Sequence, residues 1–323
     1  LYSVSAGGDT NTVSGAYASN GGGKSNTVSS DYSTVGGGGS NTASGFSSAG
    51  YCVVSGGQLN RAESGDHITV AGGVDNAGSA TAATISGGAS NVASATHTAV
   101  GGGSSNSATA AYAAISGGLS NQATATKSAV GGGELNVAQG AHSGILGGKS
   151  NSANGAYAVV SGGESNIAGD GTHSHAGVAS GKSISALGSY GFVGGGLSNS
   201  ITVAGTKSVI VGGASNVVSA EFGAIGGGQQ NVVEADYAVA NGGLDNAVTG
   251  AYGVIIGGQS NGASGSWSTV LGGKSNAASG AYSLAGGFEA LASGSYSVAI
   301  GRAVNTQTRD GAMCLGDSST TEL

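Results

Sequence analysis

The sequence predicts an all-β chain wound as a parallel β-solenoid, or β-roll, of about twenty coils with a 15-residue repeat. Three observations carry this. The marker Gly-Gly-x-x-Asn, first met at Gly7-Gly8-Asp9-Thr10-Asn11, recurs along the chain, and fourteen of the nineteen intervals between its first residues are 15 residues. Between markers, small and apolar residues alternate with a period of two, the period of a strand. The composition, 68 Gly and no Pro in 323 residues, argues against the other regular structures. A helix would lose about 1 kcal/mol at each glycine relative to Ala. Collagen needs Gly at every third position and Pro besides.

Numbering the first residue of the marker as slot 1 gives the consensus Gly-Gly-x-Ser-Asn-x-Ala-x-Gly-x-Tyr-Ala/Ser-x-Val/Ile-x. Slot 5 is Asn in 18 of 20 coils, with Ile184 and Ala290 as exceptions; Ser180 stands in for the first glycine of the coil that holds Ile184. Slot 7 is Ala or Val in most coils, slot 12 is small except at Ile68, and slot 14 is Val or Ile in 15 of 20 coils. Slots 12 and 14 therefore face inward and slots 13 and 15 outward on a short strand. Gly and Asn provide corners, where the backbone turns left-handed. Stacked at ~4.8 Å per coil, twenty coils make a rod of about 95 Å. Residues 1–305 read as one continuous repeat region, and residues 306–323 as a segment leading out of it.

Composition narrows the function. Charged residues are 8%, far below the roughly 25% of an ordinary soluble domain, and the net charge is -7 with 9 Lys+Arg. That leaves no basic footprint for nucleic acid. No run of about 18 apolar residues is present, so no helical membrane insertion is expected. The hydrophobic share, 38%, is too large and too evenly spread for a disordered tail. With no leading Met and no signal-peptide pattern, the chain is expected to be a section of a longer protein. Cys52 falls in the small inward slot 12 and Cys314 beyond the last marker coil. At sixteen coils apart, about 75 Å on the coil spacing, they are out of disulfide reach.

Slot 13 should be solvated, yet it holds Val53, Val159, Phe192, Val209, Val254 and Leu284. A coil this thin buries little by itself, so this stripe is expected to pack against identical chains in a homotrimer. Slot 11 is more distinctive. It holds all 11 Tyr, the one Trp, Phe222, four of the five His, Lys127, Lys207 and Ala82. Apart from Ala82, these are long side chains with a flat or aliphatic body and, in most cases, a polar tip. Two readings stay open: a ring ladder that seals a corner or a seam between protomers, or a groove in which sugar faces stack. On the second reading the binding residues are Tyr112, Tyr157, Tyr190, Tyr237, Tyr252, Trp267 and Tyr282, with Trp267 the most distinctive.

Other motifs carry less. Ala18 to Ser25 and Ala176 to Ser183 match a loose phosphate-loop pattern, but their Gly-Lys-Ser is slots 2 to 4 and no helix is expected to follow. The insertion from Gly169 to His175 could offer Asp170, His173 and His175 to a metal; the plainer reading is a polar loop with His175 in slot 11. A second insertion lies at Phe46 to Gly50. The carboxylates are scattered over outward slots, and no Ser-His-Asp set or carboxylate pair stands out. No catalytic residue, enzyme activity or cofactor is expected. A carbohydrate-degrading spike would need an acidic cleft. An ice- or crystal-binding face would need an unbroken Thr row, whereas Thr34, Thr69, Thr84 and Thr269 in slot 13 are interrupted by Val, Ala, Phe and Gly.

The segment Gly294-Ser295-Tyr296-Ser297-Val298-Ala299-Ile300-Gly301 resembles the haemagglutinin-type repeat in the heads of trimeric autotransporter adhesins. The 15-residue unit with Gly-Gly-x-x-Asn more closely resembles the glycine-rich coils of phage and bacterial fibre proteins that precede an endosialidase-type intramolecular chaperone. Asp310-Gly311-Ala312-Met313-Cys314-Leu315-Gly316-Asp317-Ser318-Ser319 is similar to the segment that closes those repeats. The resemblance implies a left-handed, homotrimeric roll outside the cell. It would be the shaft or receptor-binding part of a phage tail fibre, or alternatively a bacterial cell-surface adhesin, with a surface glycan or protein as receptor.

Overall fold

The computed structural model describes residues 2–46 and 50–317, which leaves the centre of the Phe46 to Gly50 insertion, and Ser318-Ser319, outside the described residues. The chain divides into two compact units, Leu1–Gly163 and Glu164–Leu323. Each is a parallel β-solenoid with a 15-residue repeat, and no helix occurs among the described residues.

Each regular coil contributes two strands of two residues. In the first unit, Ala99–Val100 at slots 13 and 14 pairs in parallel with Thr84–Ile85 before it and Ala114–Ile115 after it. Val92–Ala93 at slots 6 and 7 pairs with Ser107–Ala108. A third, single-residue ladder runs through slot 3, as in Ala89 to Ser104. The second unit repeats this with Val254–Ile255, Ala247–Val248 and Gln259. The alternation expected of slots 12 to 14 is present. Slot 14 is buried, slot 13 is half-buried or exposed, and slots 5, 7 and 12 also turn inward. Most coils thus bury one or two Val or Ile side chains, each contributing roughly 1.5–3 kcal/mol. The coils are further joined by backbone hydrogen bonds from each coil to the next.

The corners differ from the simple glycine–asparagine turns suggested by the sequence. Two non-glycine positions per coil are left-handed: slot 4, as in Ser90 (φ 55°), and slot 11, as in His97 (φ 59°). Most backbone N–H groups donate forward to the next coil, as Val92 does to the Asn106 carbonyl at 2.8 Å. The two left-handed residues donate backward, Ser90 to the Val74 carbonyl at 2.9 Å and His97 to the Thr81 carbonyl at 3.0 Å. Flipping the peptide at these points turns the chain without orphaning its donor. Left-handed φ is least tolerable for β-branched residues, and slot 11 contains none.

Asn at slot 5 lies inside. Asn91 Nδ2 donates to the Gly87 carbonyl at 2.9 Å and the Gly103 carbonyl at 3.0 Å, while its Oδ1 accepts the Asn106 N–H at 3.0 Å. Each asparagine therefore ties its own slot-1 carbonyl to the coil above. Glycine at slot 2 is forced twice over: Gly88 has φ 92°, and a β-carbon there would overlap the Gly103 carbonyl oxygen.

The parallel stacking runs on past residue 305. Met313–Asp317 pairs with Val298–Arg302 in continuous register, with Cys314 opposite Ala299. Gly311 (φ 68°) donates its N–H to the Ser295 carbonyl, as slot-11 residues do. Residues 311–317 are thus a further turn rather than a lead-out. Asn305 is also one place off its apparent slot. It bridges Leu291 at slot 6, and Ala303 is the left-handed residue. One residue is missing between Ala285 and Gly287, and the same omission recurs between Ala299 and Gly301, so Gly301 pairs with the slot-2 Gly287 and the residues after it are shifted.

Candidate functional site

The slot-11 residues form columns of rings. Their left-handed backbone sends each side chain off a corner, and the coil spacing fixes the distance between rings. In the first unit Tyr2, Tyr17, Tyr32, Tyr51 and His67 follow one another at 5.9, 5.0, 5.0 and 5.2 Å between centroids. His97 stacks on Tyr112 at 4.9 Å and His142 on Tyr157 at 4.8 Å. In the second unit His175 stacks on Tyr190 at 4.7 Å. The longest run there is Phe222, Tyr237, Tyr252, Trp267, Tyr282 and Tyr296, at 4.7, 4.9, 3.9, 6.2 and 4.9 Å. Lys207 closes the head of that run with its Nζ 4.5 Å from the centre of the Phe222 ring, a cation–π contact.

All seven residues named from the sequence as binding candidates sit in these columns, half-exposed. Tyr112 and Tyr157 belong to the first unit; Tyr190, Tyr237, Tyr252, Trp267 and Tyr282 belong to the second. The columns bring Tyr237, Tyr252, Trp267 and Tyr282 into one stack. Each of these four rings has another ring over both faces, so it offers only its edge and polar tip to solvent. Face-on stacking of a sugar is therefore open at the ends of runs, such as Tyr296, and at breaks in a run.

The outward apolar surface is wider than the slot-13 stripe. Slot 15 adds Leu146 in the first unit and Val211, Ile256 and Leu271 in the second, all exposed. In the second unit these flank Val209, Val254 and Thr269 along one sheet. Slot 15 is outward by the strand alternation, and its apolar content is the sequence signal of this wider strip.

The weaker candidates separate. Asp170 and His173 come together in the 169–175 loop. Asp170 Oδ1 accepts from the His173 N–H at 2.8 Å, the Thr172 N–H at 2.9 Å and the Thr172 hydroxyl at 2.8 Å. His173 Nδ1 lies 2.9 Å from the same oxygen. The His173 backbone bond, followed by its ring and the Thr172 donors, holds the Asp170 carboxyl well below the ordinary carboxylate range. His175 is turned into the ring column instead, with Nδ1 2.9 Å from Ser174 Oγ. Among the described residues no group of three or more His, Cys, Asp or Glu could hold a metal ion. The lysines of the Gly-Lys-Ser segments pair across coils, Lys24 with Asp9 at 3.8 Å and Lys182 with Glu164 at 3.1 Å. Such exposed pairs contribute roughly 0–1 kcal/mol each. Cys52 is buried at slot 12 and burial pushes its thiol up; Cys314 is also a free thiol.

No family model matches this chain, and no curated protein matches it.

Proposed function

We propose that the chain is the shaft or receptor-binding part of a non-enzymatic attachment fibre, most closely a phage tail fibre, built from three identical left-handed rolls. The observation that carries this reading is the apolar outward strip at slots 13 and 15. Val209, Val211, Val254, Ile256 and Leu271 lie along one sheet of the second unit; Val211, Ile256 and Leu271 are exposed, and Val209 and Val254 half-buried. A row of this kind repeats with the coil, so an identical chain alongside would meet it with matching periodicity. Exposed apolar rows of this extent mark interaction surfaces. The ring columns then lie on coil corners, where their polar edges meet solvent or a receptor.

The receptor on this reading is a glycan or protein of a cell surface, and threefold repetition gives weak contacts avidity. The protein acts outside the cell, as part of a virion or of a bacterial surface; a bacterial trimeric adhesin uses the same architecture. The test is adsorption of the labelled chain to whole bacterial cells, with isolated envelope polysaccharide as competitor. Saturable retention, without release of oligosaccharide, is the expected result. Absence of retention across a broad panel of cells, or hydrolysis of the polysaccharide, would overturn the reading.

A further inference from the structure

The first unit's ring column has one vacancy. Ala82 occupies slot 11 between His67 and His97. Its backbone is that of an aromatic coil, with φ 59° and its N–H donated to the Asp66 carbonyl at 2.9 Å. Only the ring is missing. The flanking imidazoles are exposed and remain seated on their own neighbours, His67 on Tyr51 at 5.2 Å and His97 on Tyr112 at 4.9 Å. Two coil spacings separate them, about 10 Å at ~4.8 Å per coil.

We infer that this notch binds a planar six-membered aromatic ring, such as a phenol, inserted between His67 and His97. A ring at the level of Ala82 would lie about 5 Å from each imidazole, within the 4.5–7 Å range of favourable aromatic pairs. The same spacing is realised by Tyr51 on His67 and Tyr112 on His97. A phenol in the notch completes a column that alternates phenol and imidazole from Tyr51 to Tyr112. The other non-aromatic positions within the columns do not offer this. Lys127 and Lys207 carry long side chains, and Lys207 already covers Phe222. The inference concerns a ligand site in the column and does not depend on the fibre reading.

The test is a titration of the full chain, labelled at the histidine rings, with p-cresol, followed by nuclear magnetic resonance. The ring protons of His67 and His97 should move upfield together on one saturation curve, while those of His142, His173 and His175 stay in place. Ala82→Tyr fills the notch from within, and the slot accepts Tyr in eleven other coils; the response should be lost in that variant. Ala82→Lys fills it with an aliphatic stem and serves as a second variant if the first folds poorly. No saturable movement up to the solubility limit of p-cresol would overturn the assignment. Equal movement of His142 and His175, or a response that survives in both variants, would do the same. Methyl β-glucopyranoside is titrated in parallel; saturation by it and not by p-cresol would overturn the aromatic specificity.

Discussion

Ile68 and Gly78 meet inside the first unit, where a β-carbon at Gly78 would lie 2.6 Å from Ile68 Cγ2. Ile68 is the one large residue at slot 12 and is fully buried. Gly78 stands at slot 7 of the next coil, where Ala or Val is usual. The two departures from consensus compensate in volume. Gly78→Ala should therefore overpack the interior and cost about 1–3 kcal/mol. Adding Ile68→Ser, the consensus type, should recover most of that loss. A double-mutant cycle on urea unfolding reads the coupling; independent, additive effects would show that the two side chains do not compete for space.

The asparagine column makes a sharper prediction. Asn91→Leu keeps the approximate volume but leaves the Asn106 N–H without its acceptor and the Gly87 carbonyl without its side-chain donor, while the Gly103 carbonyl keeps the Ala89 N–H. Each buried group so stranded costs about 1–3 kcal/mol. The substitution should therefore lower the unfolding midpoint far more than Ser94→Leu on the exposed slot 8 of the same coil. Equal effects would mean that the asparagine fills space and little else.

Ser268 is buried at slot 12, and its hydroxyl has no hydrogen-bond partner. Ala113, Ala158 and Ala238 occupy the same slot elsewhere and are equally buried. Ser268→Ala should raise stability by about 1 kcal/mol by removing an unpaired polar group. Ser297→Ala should do the opposite, because that hydroxyl donates to the Gly294 carbonyl at 2.6 Å. Thermal unfolding of the two variants should move in opposite directions.

Much of this interior could be read from residue types alone. Val100, Ala93 and Asn91 lie where the repeat places them, because burial in a stacked coil imposes the same choice each time. The ring column was also legible, since the slot that holds Tyr112 and Trp267 carries a ring in 17 of 20 coils. The left-handed corner at Ser90 was not, because serine leaves no local signature of positive φ. The shift at Asn305 was hidden as well: one deleted residue moves the register while the marker still looks intact. That stacking would occupy the faces of Tyr237 and Tyr252 follows from the coil spacing, which the sequence expresses only indirectly.

The 169–175 loop should respond to acid. The folded loop holds Asp170 ionised, so its carboxyl titrates below the ordinary value of 3.8. The loop's contribution to stability is then complete above that ordinary value and is lost as the pH falls through the lower folded value. Amide shifts of Thr172 and His173 should report a midpoint below 3.8, and Asp170→Asn should abolish that titration. A midpoint at or above the ordinary carboxylate value would contradict the hydrogen-bonded loop.

The most direct test of the fibre account is the mass of the protein in solution, measured by light scattering over a range of concentrations. Packing of the strip around Val211 and Ile256 against identical chains predicts a stable trimer at three times the 30.0 kDa chain mass. Substituting Glu for Val211 and Ile256 together should weaken it. A monomer that persists at every concentration, with the strip left in water, would contradict the account.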